Sequence, residues 1–472
     1  MKTAIFPGRI LVLGCGSVSR CTLPLLLRHL QMPADRITVL DMMDCKHLIS
    51  DAIAAGVRFV QEQIVQETMG KQLAAHVGSG DMIIDLAWNI GCLDLLSWCH
   101  DHGVLYINTS VELWNPYEEK ERKEPTERTL YVRHMDVRAL KRSWKEKGPT
   151  AILEHGANPG LVSHFTKTGL LDIAANVIRT KPDMVQREEI ERAMSDQMFN
   201  HLAYLLGVRV IHISEIDTQV SSIAVPQDVF LNTWSVEGLY EEGTSPAELG
   251  WGTHERTLPI DACEHQNGAK NQICMKRFGI DTWVKSRVAS REIEGMVVRH
   301  GEAFTISDAL TVWEGDRAIY RPTVHYAYRP SEVTLASLEI LRSRNYVMQE
   351  NWRVLDDEIT AGEDELGVLL LGHAFTAWWT GTVLGIDEAR ALVPHQNATT
   401  LQVAASVLAA VFWMIEHPRE GVLVPDELPF EPIMEIATPY LGRLPSTALD
   451  WTPTGKPATG DATWQFENFL IG

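Results

Sequence analysis

ILVLGCGSVSRCTLPLLL, residues Ile10–Leu27, is the stretch that decides the fold. Ile10 to Leu13 form a short apolar run, which predicts a buried strand. Gly14-Cys15-Gly16-Ser17-Val18-Ser19 follows as a tight turn, and Val18, Leu23, Leu26 and Leu27 then recur at helical spacing. Strand, glycine turn and helix, in that order, is the context in which a glycine pattern predicts a dinucleotide site. Gly14 permits the turn and Gly16 lets the backbone approach a pyrophosphate. The helix start at Ser17 and Val18 supplies free N–H groups and positive potential. Ser19 occupies the third position, where helix meets strand and only a small side chain is needed. Arg36–Leu40 predicts a second strand, ending at Asp41. An acid about 20 residues past the turn accepts hydrogen bonds from both ribose hydroxyls and repels a 2′-phosphate, so NAD is expected rather than NADP.

Composition sets the outer limits. A chain of 472 residues suggests two or three domains, and 45% apolar with 22% charged residues is ordinary for a protein with a large core. The net charge of −20 leaves no basic excess to neutralise phosphates, so nucleic acid is not an expected partner. Such a field draws in cations, although acidic soluble proteins are common. The seven cysteines are scattered without a CxxC, which fits a reducing compartment, the cytoplasm, rather than a disulfide framework. Cys263, His265 and Cys274 match no common zinc spacing, and no metal is expected. No signal-like segment precedes Ile10. Gly367–Gly385 lacks Asp, Glu, Lys and Arg, but carries His373 and several Thr and Gly. It is expected to be a buried helix rather than a membrane span.

Onward from Ile10, strands and helices alternate. Met82–Trp88 is an apolar run, Cys92–His102 has helical spacing, and Val104–Ile107 is a further strand. This rhythm predicts an α/β fold with a doubly wound parallel sheet over 1–150, with ligands at the carboxyl ends of its strands. Those ends carry Asp41, Trp88-Asn89 and Thr109-Ser110-Val111-Glu112. Thr129–Lys147 is a charged amphipathic helix, and Thr150–Leu153 is a strand leading into Glu154-His155-Gly156-Ala157-Asn158-Pro159-Gly160. There Asn158 suits an N-cap and Pro159 a first helical residue, while the turn also lies at the rim of the nucleotide site. The rhythm changes from about Leu161. Helices run to Gly207, followed by strand-like runs at Val208–Ser214, Val229–Trp234, Thr282–Ser286, Met296–Arg299 and Ala318–Tyr328. Leu335–Leu341 and Thr399–Glu416 read as helices, and Pro418–Gly472 is rich in Pro with weak periodicity. The expected organisation is a nucleotide domain (1–150), a larger α+β substrate and dimerisation domain (151–420), and a C-terminal segment (421–472) packed back on the body.

A second constellation lies in DVFLNTWSVEGLYEEGTSPAELGWG, Asp228–Gly252, which holds Trp234, Glu237, Glu241, Glu242, Glu248 and Trp251. A carboxylate pairs with an ammonium, and an indole face attracts one, worth about 0.5–2 kcal/mol. Beside a nucleotide domain, that mixture is a candidate amine site. Singly, Trp234 is better explained by core packing and the glutamates by a solvated loop.

Several motifs carry a resemblance. NTWSVEG (Asn232–Gly238), PAELGWGTHE (Pro246–Glu255), YRPTVHYAY (Tyr320–Tyr328), DELGVLL (Asp364–Leu370) and GANPG (Gly156–Gly160) resemble the bacterial homospermidine synthases. The similarity runs over nearly the whole chain and is weakest in Thr180–Asn200 and the last twenty or so residues. It implies a saccharopine-dehydrogenase-like architecture, a homodimer, and a transferase that uses NAD internally. Putrescine is oxidised to an imine, ammonia leaves as a second putrescine attacks, and the new imine is reduced to sym-homospermidine. By motif, Trp234 would face an amine or iminium and Glu242 would hold a substrate ammonium. Glu215 and Asp364 would add carboxylates, and Glu112 would lie where substrate meets cofactor. Asn158 would orient substrate or nicotinamide, and His300 would line the pocket, with Glu237 and Asn89 completing the substrate contacts. Gly14, Gly16, Ser17, Val18, Asp41, Thr109 and Asn158 would hold NAD. Two departures stand out: Ser19 replaces a glycine, and Asn89 stands where the family has an acid. The nearest rival is a saccharopine- or carboxyspermidine-type NAD(P) dehydrogenase. Its carboxylate substrates need Arg or Lys, which Trp234–Trp251 lacks. A non-catalytic NAD sensor would explain the glycine turn alone.

Overall fold

The computed structural model describes residues 2–118, 122–181 and 183–472. Ile10–Leu13 is a strand, β1, with all four side chains buried. It is central to a seven-stranded sheet and covered on both faces, which is why its sequence is a continuous apolar run. After the glycine turn, α1 spans Ser17–His29. β2 (Ile37–Asp41), β3 (Arg58–Gln61), β4 (Met82–Asp85), β5 (Leu105–Asn108) and β6 (Ala151–Ile152) follow. The sheet order is Val422–Leu423, β6, β5, β4, β1, β2, β3, every pair parallel. The winding therefore reverses at β1, between β4 and β2, where open parallel sheets bind their ligands. β4 ends earlier than the apolar run to Trp88, because the Asp85 carboxylate accepts the backbone N–H of Ala87 and turns the chain. Boundaries at 150 and 420 cut across this sheet, since β6 and Val422–Leu423 are its outer strands.

The helix expected from Thr129 is α2, Leu130–Ser143, and Thr129 caps it by accepting from Val132 N. The next helix, α3, spans Leu161–Thr180. The larger sheet has eleven strands. At its middle lie β7 (Val210–Asp217), β8 (Thr323–Arg329), β9 (Glu363–Leu371) and β10 (Ala377–Gly385). β7 pairs parallel with β8 and antiparallel with β9, and β9 pairs antiparallel with β10. The run Ala318–Tyr328 breaks into Arg317–Tyr320 and Thr323–Arg329 around Pro322, which has no N–H to donate. The run at Met296 is a strand over Glu292–Met296 rather than beyond it.

Gly367–Gly385, expected as a buried helix, is instead most of the β9–β10 hairpin. Its strands are buried on both faces, so the period of two that marks a half-exposed strand is missing. Gly367 and Gly381 lie opposite each other, and a Cβ on Gly381 would fall 2.4 Å from Gly367 Cα. That backbone approach, with Trp379 lying over it, is a reason for glycine that a helix would not supply. The long apolar helix expected at Thr399–Glu416 is observed over Ala398–Glu416. It is long and apolar enough to cross a membrane, yet 89% of its most apolar window is buried inside the protein. It packs on α1 and on the helix Phe430–Ala437, tying the end of the chain to the first domain.

β7, β8 and β9 present alternate residues to two different cores. Ile211, Ile213, Val324, Leu366, Val368 and Leu370 face the core shared with α1 and α3. Val210, Ile216, Ala327, Leu369 and Leu371 face a second core closed by Trp451, Trp464, Phe466 and Phe469. Gly381→Ala is expected to destabilise the protein by about 1–3 kcal/mol, as overpacking does, in urea unfolding followed by circular dichroism. An unchanged midpoint would contradict the close approach of the two strands.

Candidate active site

The glycine turn is built for a ligand. Gly14 has φ 86°, and a Cβ there would sit 2.8 Å from Leu86 O, so the turn needs glycine. A Cβ on Gly16 would meet nothing within 4 Å, so that backbone faces open space at the start of α1. Ser17 is the first helical residue and Gly16, at the cap, has no side chain to satisfy the free N–H groups. Ser19 is fully buried and its hydroxyl donates to Gly14 O at 2.6 Å, so serine here braces the turn. Asp41 Oδ2 accepts from Cys15 N at 2.7 Å and Oδ1 from Met43 N at 2.8 Å. This pins the carboxylate beside the turn while each oxygen keeps a lone pair for a ribose hydroxyl. Thr109 lies against Gly156, on the far side of the switch point. The donors, the open backbone and the fixed acid fit a dinucleotide without a 2′-phosphate.

Across the cleft, one face of the larger sheet gathers acids and tyrosines. Glu215 and Asp217 are i, i+2 on β7, Tyr326 and Tyr328 are i, i+2 on β8, and Asp364 on β9 is paired with Asp217. Tyr328 is in register with Glu215. Glu215 Oε2 accepts from Asn158 Nδ2 at 2.8 Å and from the Tyr326 hydroxyl. Asn158 is therefore not the cap of α3, which starts at Leu161 with Gly160 in the cap position. Trp234 donates its indole N–H to the Tyr328 oxygen at 2.9 Å. His300 Nε2 lies 3.1 Å from Glu242 Oε2 and its Nδ1 3.3 Å from Glu302 Oε1. Its ring packs 4.4 Å from that of Tyr326. Gly301, next to it, leaves room for the buried Glu154 carboxylate, which is held by His134 Nε2 at 2.9 Å.

Electrostatics separates the acids into two kinds. Glu241 is gripped by Arg133 and Arg299, whose charges overcome the cost of burial and hold it down at about 2. Burial pushes Glu112 and Glu215 up to about 7, Glu112 further through the Glu241 charge and Glu215 through Asp217, and the more distant pull of Arg133 on Glu112 and of His300 on Glu215 does not offset it. Asp364 is raised well above the carboxylate range by burial, then by Glu215 and Asp217. Glu242 is raised by burial but held partly down by His300. His300 itself is raised, because Glu302 and Glu242 outweigh its burial. The result is a pocket short of positive charge. An ammonium supplies what the protein does not, and the indole and phenol rings offer it π faces.

The expected residues Trp234, Glu242, Asn158, His300, Glu215 and Asp364 thus converge. Glu112 lies close enough to feel the charges of Glu241 and Glu242, with Oε2 buried and unpartnered among the described residues. Asn89 has φ 61° and likewise a buried Oδ1 without a partner among them. Glu237 does not join: its carboxylate takes the indole N–H of the exposed Trp352. The helix α4 spans Val236–Gly243, and five positions from Glu237 to Glu242 turn about 140° around it, so the two acids point apart. Tyr326, Tyr328 and the Arg133–Glu241–Arg299 group were not read from the sequence as site residues. The alternation Val324, Tyr326, Tyr328 could have placed the tyrosines on one face, but not beside Glu215.

Known proteins resemble this chain over nearly its whole length. The family pattern described as saccharopine dehydrogenase NADP binding domain matches residues 10–152, and that of the saccharopine dehydrogenase C-terminal domain matches 156–449. Homospermidine synthase of Blastochloris viridis is 40% identical over 98% of this chain and 97% of its own length. That of Mesorhizobium japonicum is 37% identical over 98% and 96%. The crystal structure of homospermidine synthase from Legionella pneumophila in complex with NAD is 35% identical and superposes with a TM-score of 0.87, covering 100% of this chain and 99% of that one.

Two outcomes are expected. Gly16→Ala leaves the melting temperature unchanged, since its Cβ meets open space, but weakens NAD binding at least about tenfold in calorimetry, because the backbone must approach the pyrophosphate. Equal NAD affinity would remove the turn from the cofactor site. Binding of a diamine tightens as pH rises from about 6 to 8. Glu112 and Glu215, at about 7, are neutral below that range and acquire their charge across it. Binding that is flat over that range would contradict the assignment of these acids.

Proposed function

The chain belongs to the homospermidine synthase family, and we propose that it transfers an aminobutyl group from one putrescine to a second, giving sym-homospermidine and ammonia. The observation that carries this reading is the buried acidic face of Glu215, Asp217 and Asp364, none of which has an ion pair with a protein cation among the described residues; His300, the cation Glu215 feels, is paired with Glu242 and Glu302. Arg133, which Glu112 feels, and Arg299, which Glu242 feels, are committed to Glu241. That favours a cationic substrate over the carboxylate substrates of a saccharopine- or carboxyspermidine-type dehydrogenase.

The cofactor residues fit NAD: Gly14, Gly16, Ser17 and Val18 for the pyrophosphate, Asp41 for the ribose, and Thr109 and Asn158 toward the nicotinamide. When bound, NAD supplies the hydride acceptor that allows an amine to become an imine, and the donor that later reduces the product imine. The protein's own part is charge and position. Glu215 and Asp364 hold the distal ammonium of a diamine, and Glu242, its side chain 17% exposed, meets amines on the way in. The reacting nitrogen must be neutral before hydride can leave its carbon. Glu112, near 7, suits taking up a proton at the cofactor side. The Trp234 face steadies an iminium without fixing an ammonium as firmly as a carboxylate would. Burial excludes the water that would hydrolyse the imine to an aldehyde. The seven unpaired cysteines support a cytoplasmic setting, and the family resemblance supports a homodimer, which light scattering would test.

Purified protein given putrescine and substoichiometric NAD is expected to release homospermidine and ammonia, followed by mass spectrometry, without accumulating NADH. One NADH per putrescine with an aldehyde would make it a conventional dehydrogenase. Trp234→Ala is expected to lower kcat by roughly 2- to 30-fold, the rate equivalent of about 0.5–2 kcal/mol, with KM little changed. Glu242→Gln is expected chiefly to raise KM, and steady-state kinetics showing the reverse pattern would overturn both roles.

A further inference from the structure

Two tyrosines connect side chains that come from distant parts of the chain. Tyr326 and Tyr328 are two apart on β8, so both project from the same face. Their rings stack in parallel, 5.2 Å between centroids with 7° between planes. Each hydroxyl then reaches a different functional group. The Tyr326 hydroxyl donates to Glu215 Oε2, the oxygen that Asn158 also holds. The Tyr328 oxygen accepts the Trp234 indole N–H. On its other side the Tyr326 ring meets the His300 imidazole. Both tyrosines are buried, Tyr326 2% and Tyr328 0% exposed, so neither hydroxyl is there for solvent.

We propose that Tyr326 and Tyr328 are positioning residues for the amine site: Tyr326 orients the Glu215 carboxyl and favours its charged form when an ammonium arrives, and Tyr328 sets the plane of the Trp234 indole. The inference rests on the roles given above to Glu215 and Trp234. Its physical basis is simple. An indole is joined to the backbone by two rotatable bonds, and half-buried Trp234 has room on one side. A cation–π contact depends on which way the face points, and one hydrogen bond from Nε1 to a stacked, immobile ring fixes that direction. Glu215 faces Asp217 and Asp364, both acidic, His300 from the segment before Glu302–Ala309, and the two tyrosines. Among these, the Tyr326 hydroxyl and Asn158 amide are the donors that touch it, and donation to a carboxylate favours its charged form.

Phenylalanine substitutions test this, because they delete one oxygen and keep ring and stack. Tyr326→Phe is expected to move the acidic limb of the kcat/KM profile for putrescine to higher pH by about half a unit to one unit. The same substitution in a Glu215→Gln background is expected to move nothing. Tyr328→Phe is expected to lower kcat about threefold to tenfold with KM within twofold, and to add no further loss in a Trp234→Phe background. Unaltered melting temperature and NAD affinity certify that each variant is folded; if one fails to fold, the other decides. A pH profile that stays put in Tyr326→Phe, or a Tyr328→Phe loss that is the same with and without Trp234, overturns the proposal. An unsubstituted enzyme that makes no homospermidine overturns the functional reading instead, and the two failures are distinct.

Discussion

The site depends on burying carboxylates without a cation of their own. Glu241 shows how this protein neutralises a buried acid when it intends to: Arg133 and Arg299 close on it, and its charge is permanent. Glu215, Asp217 and Asp364 lie on one sheet face with hydroxyls and amides as neighbours instead. Unpaired buried charge is costly, so the folded protein keeps these groups partly protonated and gives up stability to do so. A ligand that carries the missing positive charge recovers that cost on binding. The same deficit explains why the pocket suits a diamine and why its acids are raised, Glu112 and Glu215 to about 7.

The larger architecture serves this arrangement. The parallel sheet sets its switch point at β1, which leaves the glycine turn, Asp41 and Thr109 at one rim. The mixed sheet supplies the opposing face, with β7, β8 and β9 holding the acids and tyrosines in fixed register. Arg133 of α2 and Glu241 of α4 join the two halves through a buried ion pair whose charges Glu112 and Glu242 feel. Asn158 bridges them again, from the turn after β6 to Glu215 on β7. Glu215, Asp217, Tyr326, Tyr328 and Asp364 thus sit on strands and Glu242 on a helix, while Asn89, Thr109, Glu112, Asn158, Trp234 and His300 lie in the connections beside such elements.

How much of this was legible depends on whether the signal was local. The strand, turn and helix at Ile10–Leu27 and the acid at Asp41 are local, and the structure has them where the sequence put them. The β9–β10 hairpin was misread because full burial erases the alternation that distinguishes a strand, and Gly367 and Gly381 explain themselves only when seen face to face. Asn158 offered a capping role by its neighbours in sequence, but its partner is 57 residues away. Glu237 and Glu242 looked equivalent in sequence and are separated by the turn of one helix. The tyrosines were visible as YAY, yet their meaning depends on the register of three strands, which no spacing within one strand reveals.

Partly protonated acids await an ammonium here, and proton exchange on binding tests this most directly. Putrescine would be titrated calorimetrically into NAD-free protein near pH 7, in buffers of differing ionisation enthalpy. Net release of protons is predicted, because the incoming dication draws Glu112 and Glu215 into their charged forms, and Glu215→Gln should reduce it. Binding without proton release, or with the same release in Glu215→Gln, would contradict the account.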